Sequence, residues 1–133
     1  MRVFPDTGVL VAALATRGLC ADLLRLVLVE HQLVTGRPVF RELRRVLVEQ
    51  LRLPQATADQ VMPFLREHGE ISAPAQPAPW PVNDADDRWI LAAALEVGTD
   101  VLVTSDPALL AIEDRVPFRI CRPRGFWELL RGR

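Results

Sequence analysis

The chain has 133 residues, half of them hydrophobic and a quarter charged, which is long enough for one continuous core and too short for two comfortable ones. A net charge of −1 supplies no overall basic field to attract nucleic acid, and no charge-free apolar run reaches membrane-spanning length. With no basic-then-apolar leader ahead of the first strand, the expectation is a cytoplasmic protein, without membrane contact, folded as a single domain over residues 1–133.

In chain order, Met1–Pro5 predicts a short strand that ends on an acid, Asp6. Asp6-Thr7 is a helix-start signal, and Val9, Leu10, Ala13 and Leu14 follow at helical spacing. Gly18 interrupts, and Leu19 to Glu30 predicts a second helix with Leu23, Leu24, Val27 and Leu28 on its buried face. Gln32–Thr35 is a second strand. Pro38 suits a helix start, and the stripe Val39, Leu43, Val46, Leu47, Leu51 predicts a third helix that Pro54 stops. A fourth helix is expected over Thr57 to His68 with Val61, Phe64 and Leu65 inward, and with a kink or a later start at Pro63. Gly69–Ile71 reads as a brief edge strand, and the four prolines between Ala73 and Pro81 make that stretch a loop.

The next stretch organises the rest. Asp84, Asp86 and Asp87 stand where an Ala-rich helix begins, with Ile90, Leu91, Ala94 and Leu95 on its packed face, and that helix ends near Gly98. Val101-Leu-Val103 is an all-apolar strand that stops on Thr104-Ser105-Asp106, followed by a short helix over Ala108–Ile112. Pro117–Cys121 predicts the last strand and Pro123 to Arg131 a closing helix. Strands alternating with helices imply an α/β/α sandwich with a mainly parallel sheet. Strand order 3-2-1-4-5 would set the first and fourth strands side by side, about 4.8 Å apart, so that Asp6 and Asp106 project into one crevice at their carboxyl ends. Cys20 and Cys121 have no zinc or redox spacing and read as buried reduced thiols.

Each acid also has a simpler role. Asp6 and Asp106 can cap the helices that follow them. Asp84, Asp86 and Asp87 can satisfy a helix dipole, but three acids in four positions repel one another and call for a cation. Asp87 lies nearest the packed face, and Asp84 and Asp86 read as capping or supporting groups. Glu42 borders the third helix's apolar stripe, with Glu49 its competitor and Arg45 a possible surface partner. Oxygen donors without His or Cys select Mg²⁺ or Mn²⁺, and a carboxylate cluster holding such an ion suits phosphodiester hydrolysis. All sixteen positive charges are arginines. One group is Arg37, Arg41, Arg44, Arg45 and Arg52; another is Arg119, Arg122, Arg124, Arg131 and Arg133. Arginine suits phosphate contacts, although a general preference for arginine over lysine would give the same count.

Four segments together resemble the PIN domain, in particular the bacterial VapC-like ribonucleases that are toxins of toxin–antitoxin pairs. They are Asp6-Thr-Gly-Val-Leu-Val-Ala-Ala-Leu14, Phe40-Arg-Glu-Leu-Arg-Arg-Val-Leu47, Asn83 to Leu95 with Val101 to Leu110, and Arg122-Pro-Arg-Gly-Phe-Trp-Glu-Leu-Leu130. The resemblance implies Asp6, Glu42, Asp87 and Asp106 as catalytic metal ligands for Mg²⁺ or Mn²⁺, cleavage of single-stranded RNA, a homodimer, and an antitoxin partner. Thr7 and Thr104, beside the first and last acids, are retained. Thr7, Asp84, Asp86, Thr104 and Ser105 are the expected supporting residues. Where the family commonly has Asn two positions after the first Asp, this chain has Gly8. Arg41, Arg44, Arg45 and Arg88 lie nearest the acids and are the expected RNA contacts, with the C-terminal arginines farther away. The alternatives are a PIN-type RNA- or protein-binding module without strong activity, and a metal-dependent phosphohydrolase or nuclease acting on another substrate such as DNA flaps.

Overall fold

The structure, a computed structural model, describes residues 1–132; Arg133, one of the C-terminal arginines, lies outside the described residues. The elements run β1 (Arg2–Pro5), α1 (Thr7–Ala15), α2 (Leu19–Glu30), β2 (Gln32–Gly36), α3 (Arg37–Arg45) with a π turn (Val46–Gln50), and α4 (Gln55–His68). They continue as β3 (Gly69–Ser72), α5 (Ala85–Glu96), β4 (Val101–Val103), α6 (Pro107–Leu110), a 3₁₀ turn (Glu113–Arg115), β5 (Arg119–Cys121) and α7 (Pro123–Arg131).

All strand pairs are parallel, and the sheet order is β3-β2-β1-β4-β5. This is the predicted order. Neighbours along a strand point to opposite faces, yet Val3 and Phe4, Leu33 and Val34, and Leu102 and Val103 are all buried. The sheet is therefore covered on both sides, as a three-layer sandwich requires. The chain walks from β1 outward to β3, then returns past β1 to β4. The reversal leaves a crevice between the carboxyl ends of β1 and β4, where open parallel sheets bind ligands. Register sets Pro5 opposite Val103, so Asp6 and Thr104 leave the sheet side by side, and the Asp6 N–H extends the ladder to the Val103 carbonyl at 2.9 Å.

Several helix details differ from the pattern reading. The third helix widens into a separate π turn after Arg45, where the Leu51 N–H bonds the Val46 carbonyl at 3.0 Å. The wider turn rotates Leu51 off the buried face, leaving it 42% exposed. On α4 the inward stripe is Ala58, Met62 and Leu65, while Phe64 faces outward with its ring 4.6 Å from that of His68. Pro63 does not break α4 or delay its start: the carbonyl it leaves without a donor belongs to Asp59, an exposed residue of the helix, which limits the cost. Leu95, expected on the packed face of α5, is 46% exposed, and Leu28 is only half-buried. Cys20 and Cys121 are free and half-buried rather than fully buried. No described helix is long and apolar enough to cross a membrane.

Candidate active site

Asp6 belongs to two structures at once. Its Oδ1 accepts the Val9 N–H at 3.0 Å, capping α1, and its Oδ2 accepts from the Thr104 hydroxyl. Thr104 is fully buried, and its Oγ1 also accepts the Asp106 N–H at 3.0 Å. An N–H can only donate, so the hydroxyl proton must point to Asp6. One threonine thus ties the end of β1 to the loop that carries Asp106. Asp106 in turn caps α6 by accepting the Ala108 N–H at 2.9 Å. The capping roles read from the sequence are both present, and each leaves carboxylate oxygen free for other partners.

Asp87 enters from the first turn of α5. Burial, followed by the charge of Asp106, a hydrogen bond with the Asp106 carboxyl, and the charges of Asp84 and Glu42, pushes the Asp87 carboxyl up to about 7. Asp6 is also pushed above the usual carboxylate range, first by burial; hydrogen bonds from Thr104 and Val9 pull it back, and the charges of Asp106 and Glu42 push it up again. Asp6, Glu42, Asp87 and Asp106 are therefore within electrostatic reach of one another although they come from four parts of the chain. Glu49, the competitor of Glu42, sits exposed on the π turn. Asp84 is the N-cap of α5, its Oδ1 accepting the Asp86 N–H at 2.8 Å.

The acids are paired rather than caged. Asp87 meets Asp106, Asp6 is held by Thr104, and among the described residues no three His, Cys, Asp or Glu side chains are disposed to hold a metal ion together. Two features still suit a hard cation. The donors are all oxygens, and the buried Thr7 hydroxyl beside Asp6 has no hydrogen-bond partner.

The arginines divide around α3. Arg41 and Arg45 line a groove of about 500 Å³ with Glu42 and Asp86, whereas Arg44 faces α4 and pairs with Asp59 at 2.9 Å. Arg88 spends its Nε–H on the Val82 carbonyl at 2.8 Å. Arg122, placed with the distant cluster on sequence grounds, in fact reaches the site: its Nη1 donates to the Ser105 carbonyl at 3.4 Å. The signal that would have found it was topological, because β5 is the neighbour of β4 and Arg122 directly follows β5. Ser105 lines a smaller cavity of about 270 Å³ with Asp6, Gly8 and Asp106.

The threonine link can be tested by titration. Replacing Thr104 with Val keeps the shape and removes the bond that lowers the Asp6 pKa. In a carboxyl-carbon NMR titration Asp6 should protonate at higher pH in Thr104→Val than in wild type, while Thr104→Ser should match wild type. Equal titration of Asp6 in all three proteins would show that the hydroxyl does not hold it.

In an open parallel α/β sheet the switch point, where these acids lie, is the place for a ligand. The PIN domain family matches residues 2–108, and the chain belongs to that family. PIN domains are generally nucleases that use divalent metals. No curated protein sequence matches. Solved structures share the fold. VapBC-1 from nontypeable Haemophilus influenzae aligns with TM-score 0.63 at 17% identity, covering 93% of this chain and 99% of that one. VapBC2 from Rickettsia felis, bound to a DNA fragment from its promoter, aligns with TM-score 0.62 at 14% identity over 92% and 98%. FitAcB from Neisseria gonorrhoeae aligns with TM-score 0.58 at 18% identity over 92% and 98%.

Proposed function

We propose that this PIN domain is a divalent-metal-dependent endoribonuclease that cleaves single-stranded RNA and serves as the toxin of a toxin–antitoxin pair. The observation that carries the reading is that Asp106, at the end of β4, and Glu42, on α3, each act on both Asp6, at the end of β1, and Asp87, at the start of α5. Mg²⁺ or Mn²⁺ would be held by these four carboxylates, with Thr104 positioning Asp6 and the loop of Asp106. When bound, such an ion polarises the phosphoryl oxygen and lowers the pKa of water. The chain's own groups bind and orient: Arg41, Arg45 and Arg122 stand at the rim where phosphates approach, and Arg44 and Arg88 keep donor capacity beyond their present partners. A cognate antitoxin belongs to the reading, supported by the VapBC and FitAcB structures with the same fold, and a cytoplasmic homodimer is proposed with it.

The second reading, a PIN-type binding module without activity, is favoured by the pairing of the acids and by Gly8, whose missing side chain would have had room. One assay separates them. Labelled single-stranded RNA, duplex RNA and single-stranded DNA are incubated with the protein in Mn²⁺, Mg²⁺ or excess chelator. Metal-dependent cutting restricted to single-stranded RNA is expected. RNA binding without cutting would favour the second reading, and faster cutting of DNA would move the substrate class.

A further inference from the structure

The groove between α3 and α5 is built from two facing helical stripes. Pro38, Arg41, Glu42 and Arg45 recur at the spacing of one face of α3, and Asp86, Trp89 and Ile90 at that of one face of α5. Its volume of about 500 Å³ lies within the usual range of ligand pockets, about 300–1,000 Å³. Trp89 is half-buried, and neither its ring nor its indole N–H has a partner among the described residues. The other tryptophans are engaged: Trp80 stands edge-on to Phe118 and Trp127 lies under Arg131. Arg41 and Arg45 have no ion-pair partner either. An unengaged indole that shares one groove with two guanidinium groups and with Glu42 of the acid cluster is a place for an aromatic base carrying phosphate.

We infer that this groove is a nucleotide subsite, in which Trp89 stacks on one base of single-stranded RNA while Arg41 and Arg45 hold the adjoining phosphates. The inference rests on the nuclease reading and adds to it a residue that grips the substrate beside the cut. Charge alone does not fill the groove, because Glu42 and Asp86 balance the two arginines. Two phosphate contacts on a single strand give a salt slope of only about −1.4 in log K against log salt. Stacking must then supply much of the affinity, and it accepts any base because every base has a π face. Duplex RNA, whose bases are already stacked on one another, has none to offer the indole.

The test is binding of a short single-stranded RNA in excess chelator, so that binding is read apart from cutting, by fluorescence anisotropy and by tryptophan quenching. Wild type should bind and be quenched. Trp89→Ala should bind about 5- to 150-fold more weakly, whereas Trp89→Phe should restore most of the affinity while losing the quench. An oligomer with the same backbone but lacking bases should bind wild type and Trp89→Ala alike. Should the alanine variant fold poorly, the phenylalanine variant and the wild-type quench decide. Unchanged affinity in Trp89→Ala overturns the inference while leaving the nuclease reading standing if wild type still cuts RNA in Mn²⁺. Binding and quenching without cutting would sink the nuclease reading and keep the subsite. No binding by wild type overturns the subsite. A change in molecular mass on gel filtration of Trp89→Ala, with RNA affinity intact, would assign the groove to contact between copies of the chain and overturn it as well.

Discussion

RNA cleavage is expected to fall about 100- to 1,000-fold in Asp87→Asn and to survive in Asp84→Asn, the range typical of losing one group aimed at developing charge. The two acids are three residues apart, Asp84 as the N-cap of α5 and Asp87 in its first turn, and the structure gives them different work. Asp84 caps α5 through one oxygen. Asn is an equally good cap, so its substitution should leave both the fold and the rate nearly unchanged. Asp87 instead faces Asp106 and feels Glu42. Asn in its place keeps the size and removes the charge that would hold a metal ion. Initial rates on single-stranded RNA, for proteins of matched melting temperature, decide it. The reverse ranking would mean that the start of α5 is rotated relative to the crevice.

Gly36→Ala should destabilise the fold by about 1–3 kcal/mol, a large part of the roughly 5–15 kcal/mol that holds a domain together. The cause is space rather than conformational freedom. A Cβ on Gly36 would stand 2.5 Å from the Ala93 Cβ and 3.2 Å from the Ser72 Oγ. Ala93 is fully buried on α5, and its carbonyl is held by the Ser72 hydroxyl at 2.9 Å, so the neighbours cannot step aside cheaply. Whatever gives way carries α5, and with it Asp87 at the helix's start. Gly8→Ala is the control. Its Cβ would meet only Asp6 Oδ1, at an ordinary 3.7 Å, in the first turn of α1, where Ala is the better helix former by about 1 kcal/mol. Urea midpoints should therefore move in opposite directions for the two variants. A Gly36→Ala protein as stable as wild type would show that β2 and α5 pack less closely than described.

The strand order could be read from the chain because a single requirement, Asp6 beside Asp106, coincided with all-apolar strands that need cover on both faces. Asp6, Asp87 and Asp106 could be singled out because each sits where an element ends or begins, and ends are marked by local signals, whereas Glu42 lies within α3 and was picked out by its place beside the apolar stripe and by the resemblance. Helix faces were harder. Leu51 and Leu95 fit a 3.6-residue stripe on paper, but a π turn shifts the first, and the second lies one position before Glu96, the last residue of α5, and three before the left-handed Gly98. On α4 Val61 packs at the margin of the core, but Phe64 turns outward while Ala58 and Met62 are buried, so residue size misled where burial decides. Arg122 escaped because sequence distance suggested spatial distance, whereas pairing of β5 with β4 brings it to Ser105. Trp89 drew no reading from the sequence, and only the facing stripe on α3 shows that it lines a groove.

The central claim is that the crevice binds a divalent cation through its carboxylates, and calorimetric titration with Mn²⁺ at several pH values tests it most directly. In the metal-free protein Asp87 is raised from 3.8 to about 7, so protonation is favoured by folding. That contribution is fully present below about 3.8 and is lost as pH rises through about 7. A cation and this proton compete for the same oxygens. Mn²⁺ should therefore bind more tightly at pH 8 than at pH 6, with a proton released on binding at the lower pH, and each of Asp6→Asn and Asp87→Asn should weaken binding at least about tenfold. Equal Mn²⁺ affinity in wild type and both variants, or affinity indifferent to pH across this window, would contradict the account.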